Sequence, residues 1–361
     1  MRENEQNILL TGGHAATTGL AVIEEIKKKF PEAEISWIGS KSVVSGSNAT
    51  SVEYKIYPSL GVKFYALTAG KLQTKFTRYT IPYLLMIPIG FIQAFFLLLK
   101  IKPKVILSFG GFSSFPVIFW GFIFGIPVVL HEQTVEAGRA AIASAFFARK
   151  IALGRRESQK YFPKQKTVIT GNPISQGILS VKPKMTLGNT KTILVMGGSR
   201  GSEFINEEIF KIIPKLLTKY KIIHITGERD FEKYKNYQNK NYQVVSFVDP
   251  REMPAYYKEA DLVIARSGAN TVSEILYLKL PTIFIPLPRT FMNEQYKNAK
   301  YAEEFGVAKI MLETEVNPKS LLEKVDEIFT NWQKLVSGML PKPSPDINAS
   351  QKVTNLIEEY I

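Results

Sequence analysis

Three short clusters in this chain bring together residue types that can move a proton or hold an anion. His14 closes Thr11-Gly12-Gly13-His14, directly after the apolar run Asn7-Ile8-Leu9-Leu10. His131-Glu132-Gln133 follows Pro127-Val128-Val129-Leu130 and sets a base, an acid and an amide side by side. Ala265–Ile275, read ARSGANTVSEI, follows Ala260-Asp261-Leu262-Val263-Ile264 and combines a cation, a Ser-Gly break and the carboxylate of Glu274. The chain has only three histidines, His14, His131 and His224, so an imidazole at a glycine-rich turn is a candidate general base. A Gly-containing turn that opens a helix offers backbone N–H groups and the positive end of the helix dipole to a phosphate. Glu274, in the first helical turns, is placed to accept from vicinal ribose hydroxyls. The same stretch also fits an ordinary capped helix, with Thr271 and Glu274 as a capping box. Hydrogen bonding within the loop explains His131, Glu132 and Gln133 as well as catalysis does.

All three clusters stand where a strand pattern gives way to a helix pattern. Asn7–Leu10, Ile35–Ile38, Lys104–Leu107, Pro127–Leu130 and Val168–Thr170 read as strands of a first half. Thr192–Met196, Ile222–Thr226, Val244–Val248, Leu262–Ala265 and Thr282–Ile285 read as strands of a second. Helical spacing marks Leu20–Phe30, Pro116–Phe124 and Glu203–Leu217 between them. Further glycine turns follow strands at Ser108–Ser114, with Gly110, Gly111, Phe112 and Ser113 at its centre, and at Gly197–Ser202. Strands alternating with helices indicate parallel α/β sheets, and 361 residues suffice for two such domains. The expected division is 1–172, 173–340 and 341–361, the last a connector through PKPSPDIN and a helix returning to the first domain. Two α/β halves with glycine turns at strand ends are expected to enclose a cleft suited to a two-substrate transfer enzyme. A nicotinamide enzyme is disfavoured. G-x-G-x-x-G is missing, and the second strand ends in Gly39-Ser40-Lys41 with no acid for a ribose.

Composition narrows the partners. There is no cysteine, hence no disulfide or thiolate metal site, which fits a reducing cytoplasm. No signal peptide is expected, because Met1–Asn7 is polar. Of the net charge of +14, residues 1–170 carry 21 Lys and Arg against 10 acids, and residues 171–361 carry 25 against 22. No acid lies between Glu53 and Glu132. Within that gap Tyr79–Leu99 is apolar apart from Thr80 and Gln93, with Lys71, Lys75 and Arg78 before it and Lys100, Lys102 and Lys104 after it. A single membrane crossing would split one sheet across a bilayer, because the strand pattern resumes at Lys104. An interfacial helix on anionic lipid fits better, with a buried core helix as the alternative. Nucleic acid is disfavoured, since the basic residues flank apolar runs and do not interleave with aromatics.

The order and spacing of five motifs then resembles the MurG family of peptidoglycan glycosyltransferases. They are His131-Glu132-Gln133, Gly171-Asn172-Pro173, Gly197-Gly198-Ser199-x-Gly201, Arg266-Ser267-Gly268-Ala269-x-Thr271-x-x-Glu274 and Gln295-Tyr296-x-Asn298-Ala299. The resemblance runs over roughly the whole chain. It implies a GT-B fold of two Rossmann-like domains and inverting transfer of N-acetylglucosamine from UDP-GlcNAc to the C4 hydroxyl of the muramic acid of lipid I, giving lipid II; the alternatives are a glycolipid synthase with another lipid acceptor, a UDP-GlcNAc epimerase or a non-catalytic nucleotide-binding membrane adaptor. The donor is implied to lie against Ser199, Arg266, Ser267, Gly268, Ala269, Asn270 and Thr271 at its diphosphate and Glu274 at its ribose. Val248 would contact uracil through its backbone. Glu294, Gln295 and Asn298 would face the sugar and phosphates, and Thr11, Gly12, Gly13 and Thr134 complete the implied donor set. Gly110, Gly111, Phe112 and Ser113 are implied at the acceptor's diphosphate. His14, then Glu132, are the candidate bases. No cofactor and no metal are expected, since Asp-x-Asp occurs nowhere. The implied partners are UDP-GlcNAc, a polyprenyl-diphosphate-linked muramoyl peptide and an anionic membrane surface, met peripherally on its cytoplasmic face. The sequence departs from the family at the first turn, where leading glycines are lost, and at Thr134, Ser175 and Glu294.

Overall fold

The computed structural model describes residues 6–13, 15–42, 50–68, 70, 80–198, 200–339 and 341–361. His14, Ser199, Lys71, Lys75 and Arg78 lie outside these residues. The chain forms two units, one of Met1–Ser175 with Asn348–Ile361, the other of Gln176–Ile347.

The first unit is built on seven parallel strands: β1 (Asn7–Thr11), β2 (Glu34–Gly39), β3 (Lys63–Ala66), β4 (Val105–Ser108), β5 (Val128–Glu132), β6 (Lys150–Leu153) and β7 (Thr167–Ile169). Their order is β3-β2-β1-β4-β5-β6-β7, so the chain runs outward one way from β1 and then outward the other way from β4. The central strands are buried on both faces, as Ile8, Leu9, Leu10, Ile106, Leu107, Val129 and Leu130 show, which is why they read as continuous apolar runs. Helix Ala16–Lys29 turns Leu20, Ile23 and Ile26 to the sheet and carries Lys27, Lys28 and Lys29 in its last turn, where they complement the dipole. The C-terminal helix Ala349–Glu358 joins the same core through Val353, Leu356 and Ile357. Ser350 Oγ donates to the Ile174 carbonyl at 3.2 Å, which holds the stretch after Asn172 in this unit.

Helix Thr80–Ile101 lies against helix Phe115–Ile123, with Phe91 edge-on to Phe119 and Phe95 edge-on to Trp120. Trp120 Nε1 donates to the Phe91 carbonyl at 2.9 Å. Ala94 and Leu98 are buried on that side. The opposite face is open. Leu85, Ile89, Ile92, Phe96 and Leu99, at alternating spacings of four and three, are all exposed, Leu85 by 67% and Phe96 by 64%. Phe122, Ile123, Ile142 and Phe146 are exposed too, Phe146 by 73%, and Phe122 packs against Phe146. This helix is therefore a half-core helix with an uncovered apolar side.

The second unit has six parallel strands: β8 (Lys191–Met196), β9 (Tyr220–Ile225), β10 (Tyr242–Val245), β11 (Leu262–Ala265), β12 (Thr282–Phe284) and β13 (Ala308–Ile310). They run in the order β10-β9-β8-β11-β12-β13. β10 is an edge strand and ends at Val245, three residues before Val248, so the expectation of a strand through Val248 is corrected. With one edge unpaired, the ladder stops early and the chain turns. Asp249 receives the Arg251 N–H at 2.9 Å, ahead of helix Met253–Glu259.

Candidate functional site

In each unit the direction of chain progression reverses between two neighbouring strands, β1 and β4 or β8 and β11. The carboxyl ends of such a pair leave the crevice in which open α/β sheets bind ligands.

In the second unit, β8 is followed by Gly197, Gly198 and Arg200–Ser202. Gly198 (φ +82°) and Gly201 (φ +73°) are left-handed, and Gly201 N–H closes the turn on the Gly198 carbonyl at 3.0 Å. A Cβ on Gly201 would stand 2.0 Å from the Thr226 carbonyl oxygen, so backbone meets backbone here. Gly201→Ala is expected to displace this turn and cost about 2–4 kcal/mol of stability; a thermal melt checks the effect. Ser202 caps helix Glu203–Leu216, its Oγ accepting from Ile205 N–H.

After β11 comes Arg266-Ser267-Gly268. Gly268 is the N-cap of helix Ala269–Leu278, and no side chain caps that end. The capping box weighed for Thr271 and Glu274 is thus not formed, and Gly268, Ala269, Asn270 and Thr271 are half-buried at the uncapped end. Burial pushes the half-buried Glu274 carboxyl up to about 7, and the hydrogen bond from Tyr257 OH to its Oε2, 2.8 Å, works against that rise. Ser267 Oγ donates to the Gln295 carbonyl at 2.7 Å, Asn298 Nδ2 donates to the Ser267 carbonyl at 3.3 Å, and Gln295 Oε1 accepts from Leu287 N–H at 2.9 Å. These bonds bring the Ser267 turn and helix Glu294–Phe305 together, with the half-buried Glu294 as that helix's first residue. Met292 and Asn293, immediately before it, are both left-handed without being glycine, a local cost that such loops carry next to ligand sites.

Arg266 is placed otherwise than the motif alone suggests. Its Nε donates to Ser202 Oγ at 3.1 Å, Nη1 to the Ile285 carbonyl at 2.9 Å and Nη2 to Glu313 Oε1 at 2.5 Å. All three guanidinium nitrogens are engaged, so in this state Arg266 ties strand ends together and its charge is balanced by Glu313. Val248 is buried in the turn before Asp249.

In the first unit the turns after β1 and β4 are bonded to each other. Gly13 N–H donates to the Gly110 carbonyl at 3.2 Å, Phe109 N–H to the Thr11 carbonyl at 2.8 Å and Ser113 Oγ to the Gly12 carbonyl at 3.4 Å. Gly111, at φ +90°, approaches Gly13 so closely that a Cβ would lie 3.1 Å from its nitrogen. Thr11, Gly12, Gly13, Gly110, Gly111, Phe112 and Ser113 are therefore one cluster. Helix Ala16–Lys29 has no local side-chain cap. Glu53, buried and 38 residues away, accepts from Ala15 N–H at 2.9 Å in its place.

Glu132 is buried at the end of β5. Its Oε1 accepts from Thr134 N–H (3.1 Å) and Thr134 Oγ1 (2.8 Å), and its Oε2 from Gly138 N–H (3.2 Å). Burial raises its carboxyl above the usual carboxylate range, and these bonds hold the rise back. Both Glu132 and Thr134 thus brace their own loop. His131 faces the Gly171 carbonyl at 3.2 Å. His224, pushed down to about 3 by burial, sits between Tyr242 OH and Asn206 Oδ1, in a buried network of the second unit. Among the described residues no three His, Asp or Glu side chains cluster as metal ligands would. Tyr257, Glu313 and Glu53 carried no sequence signal, since each acts on a partner distant in the chain.

Comparison with known proteins supports this fold. The chain matches the glycosyltransferase family 28 N-terminal domain over residues 11–153 and the glycosyltransferase family 28 C-terminal domain over residues 192–359. It is 35% identical over 367 aligned positions to the UDP-N-acetylglucosamine--N-acetylmuramyl-(pentapeptide) pyrophosphoryl-undecaprenol N-acetylglucosamine transferase of Clostridium kluyveri, covering 98% of this chain and 99% of that protein. The crystal structure of Acinetobacter baumannii MurG superposes with a TM-score of 0.70 at 23% identity, covering 98% of this chain and 99% of that one. The UDP-GlcNAc 2-epimerase of Neisseria meningitidis bound to UDP-GlcNAc superposes with a TM-score of 0.68 at 13% identity, covering 98% and 100%. Identities this low in the two structures speak to the shared fold.

Proposed function

The chain belongs to glycosyltransferase family 28, and from that premise we propose that it transfers N-acetylglucosamine from UDP-GlcNAc to lipid I, giving lipid II for peptidoglycan synthesis. The observation that carries the donor half is the uncapped start of helix Ala269–Leu278 at the β8/β11 reversal, with Glu274 on the same helix. The first-turn N–H groups and the helix dipole meet the diphosphate there, helped by the Gly197–Ser202 turn. The Glu274 carboxylate accepts from the ribose hydroxyls. Gln295 and Asn298, fastened to Ser267, orient the sugar side of the donor, and Val248 serves the uracil through its backbone.

The acceptor half rests on the bonded turns of the first unit, where Gly110, Gly111, Phe112 and Ser113 take the acceptor's diphosphate. The acceptor C4 hydroxyl oxygen bonds to the anomeric carbon on the face opposite the diphosphate. The bond from that carbon to the diphosphate oxygen breaks with its electron pair leaving on UDP, and the hydroxyl proton passes to the base. We assign the base to His14, because both Glu132 oxygens already accept bonds within their loop. The apolar face of helix Thr80–Ile101, followed by Lys100, Lys102 and Lys104, rests peripherally on anionic lipid at the cytoplasmic face of the membrane.

Product analysis tests the reading. Protein given UDP-GlcNAc with lipid I is expected to release UDP and form lipid II, and UDP-GlcNAc alone is expected to stay intact. His14→Ala is expected to lower turnover by about 10²–10⁴-fold with unchanged donor affinity. Conversion of UDP-GlcNAc to its 2-epimer without acceptor, or no lipid II with it, would sink the assignment.

A further inference from the structure

Arg266 is exposed by only 8% and stands beside two helix starts. Its guanidinium touches Ser202, the N-cap of helix Glu203–Leu216, and its backbone leads into Gly268, the N-cap of helix Ala269–Leu278. Both are positive helix ends. A buried cation in that field needs a partner. Glu313, from the stretch after β13, reaches past the end of β12 to supply one at 2.5 Å, while the Ile285 carbonyl takes Nη1.

A diphosphate bound between the Gly197–Ser202 turn and Gly268 would meet the same guanidinium. We propose that Glu313 is the resident counter-ion of Arg266, competes with the nucleotide's diphosphate for it, and thereby sets how tightly the UDP product is held. The proposal rests on the donor-site reading above. Its sign is fixed by electrostatics: taking a negative charge from beside an anion site strengthens anion binding. A merely structural role for Glu313 predicts the reverse, because a loosened Arg266 would loosen Ser202 and the turn with it.

The test is calorimetric titration of Glu313→Gln and the wild type with UDP and with uridine, joined to the inhibition constant for UDP during turnover. Glu313→Gln is expected to bind UDP about five- to twentyfold more tightly, with uridine affinity unchanged and kcat lowered as release slows. Equal or weaker UDP binding, or UDP and uridine changing together, would overturn the proposal. If Glu313→Gln fails to fold, Glu313→Asp, which withdraws the carboxylate by one methylene, is expected to tighten UDP by a smaller factor, and no tightening would overturn it equally. A wild type that binds no UDP would instead defeat the donor-site reading.

Discussion

Glu274→Gln is expected to weaken UDP-GlcNAc binding by about 100-fold, because in the ribose role proposed for Glu274 two hydrogen bonds from ribose hydroxyls to a charged, half-buried acceptor become bonds to a neutral amide. The pH dependence is the sharper signature. The form that accepts from both hydroxyls is the carboxylate, and in the free protein burial keeps this group protonated up to about 7. Donor affinity should therefore rise with pH, approaching tenfold per unit below 7 and flattening above it. Binding near neutrality should release a proton, visible as a buffer-dependent heat. Stability of the free protein carries the opposite sign. A carboxyl raised on folding binds its proton more tightly in the native than in the unfolded chain, so its contribution falls as pH climbs from about 4.5 to about 7 and is level beyond. Glu274→Gln should remove that slope from the thermal midpoint. A wild-type affinity flat between pH 5.5 and 8, with a Gln variant that binds normally, would take Glu274 out of the ribose site.

The second large effect is on the membrane attachment proposed above. Leu85→Ser with Phe96→Ser removes two of the most exposed apolar side chains of helix Thr80–Ile101 without touching Ala94 or Leu98 on its packed side. Losing roughly 2 kcal/mol from each is expected to weaken binding to phosphatidylglycerol-containing vesicles by about 10³-fold. The melting temperature should hold or rise slightly, since no buried contact is lost. Wild-type binding should also fall steeply with salt, because Lys100, Lys102 and Lys104 contribute about 1 kcal/mol each at an anionic surface. Vesicle flotation at 50 and 500 mM salt measures both. A double variant that floats like the wild type would mean that this face is covered by something other than lipid.

The two effects differ in how far the sequence foreshadowed them. An acid-free gap holding one long apolar segment between cations is visible in one dimension, but whether its sides are packed is not. Helix Phe115–Ile123 claims one side through its aromatics and leaves Leu85, Ile89, Ile92, Phe96 and Leu99 exposed. Likewise Glu274 is legible as a carboxylate after a strand–turn–helix pattern. Its raised pKa depends on burial beside Tyr257, 17 residues upstream, and no spacing rule reports that.

By itself the sequence determined the architecture and the glycine turns at its strand ends. Continuous apolar runs specify strands buried on both faces, and glycines at their ends specify turns that backbone must approach closely. These are local constraints, readable residue by residue. Only the tertiary structure decided what the charged side chains do there. Glu132 is closed into its own loop by Thr134 and Gly138, and Arg266 is claimed by Ser202, Ile285 and Glu313. Burial makes an unpaired charge too costly to leave, so each of these groups takes whichever partner the fold brings within reach, and for Arg266 those partners lie far away in the chain.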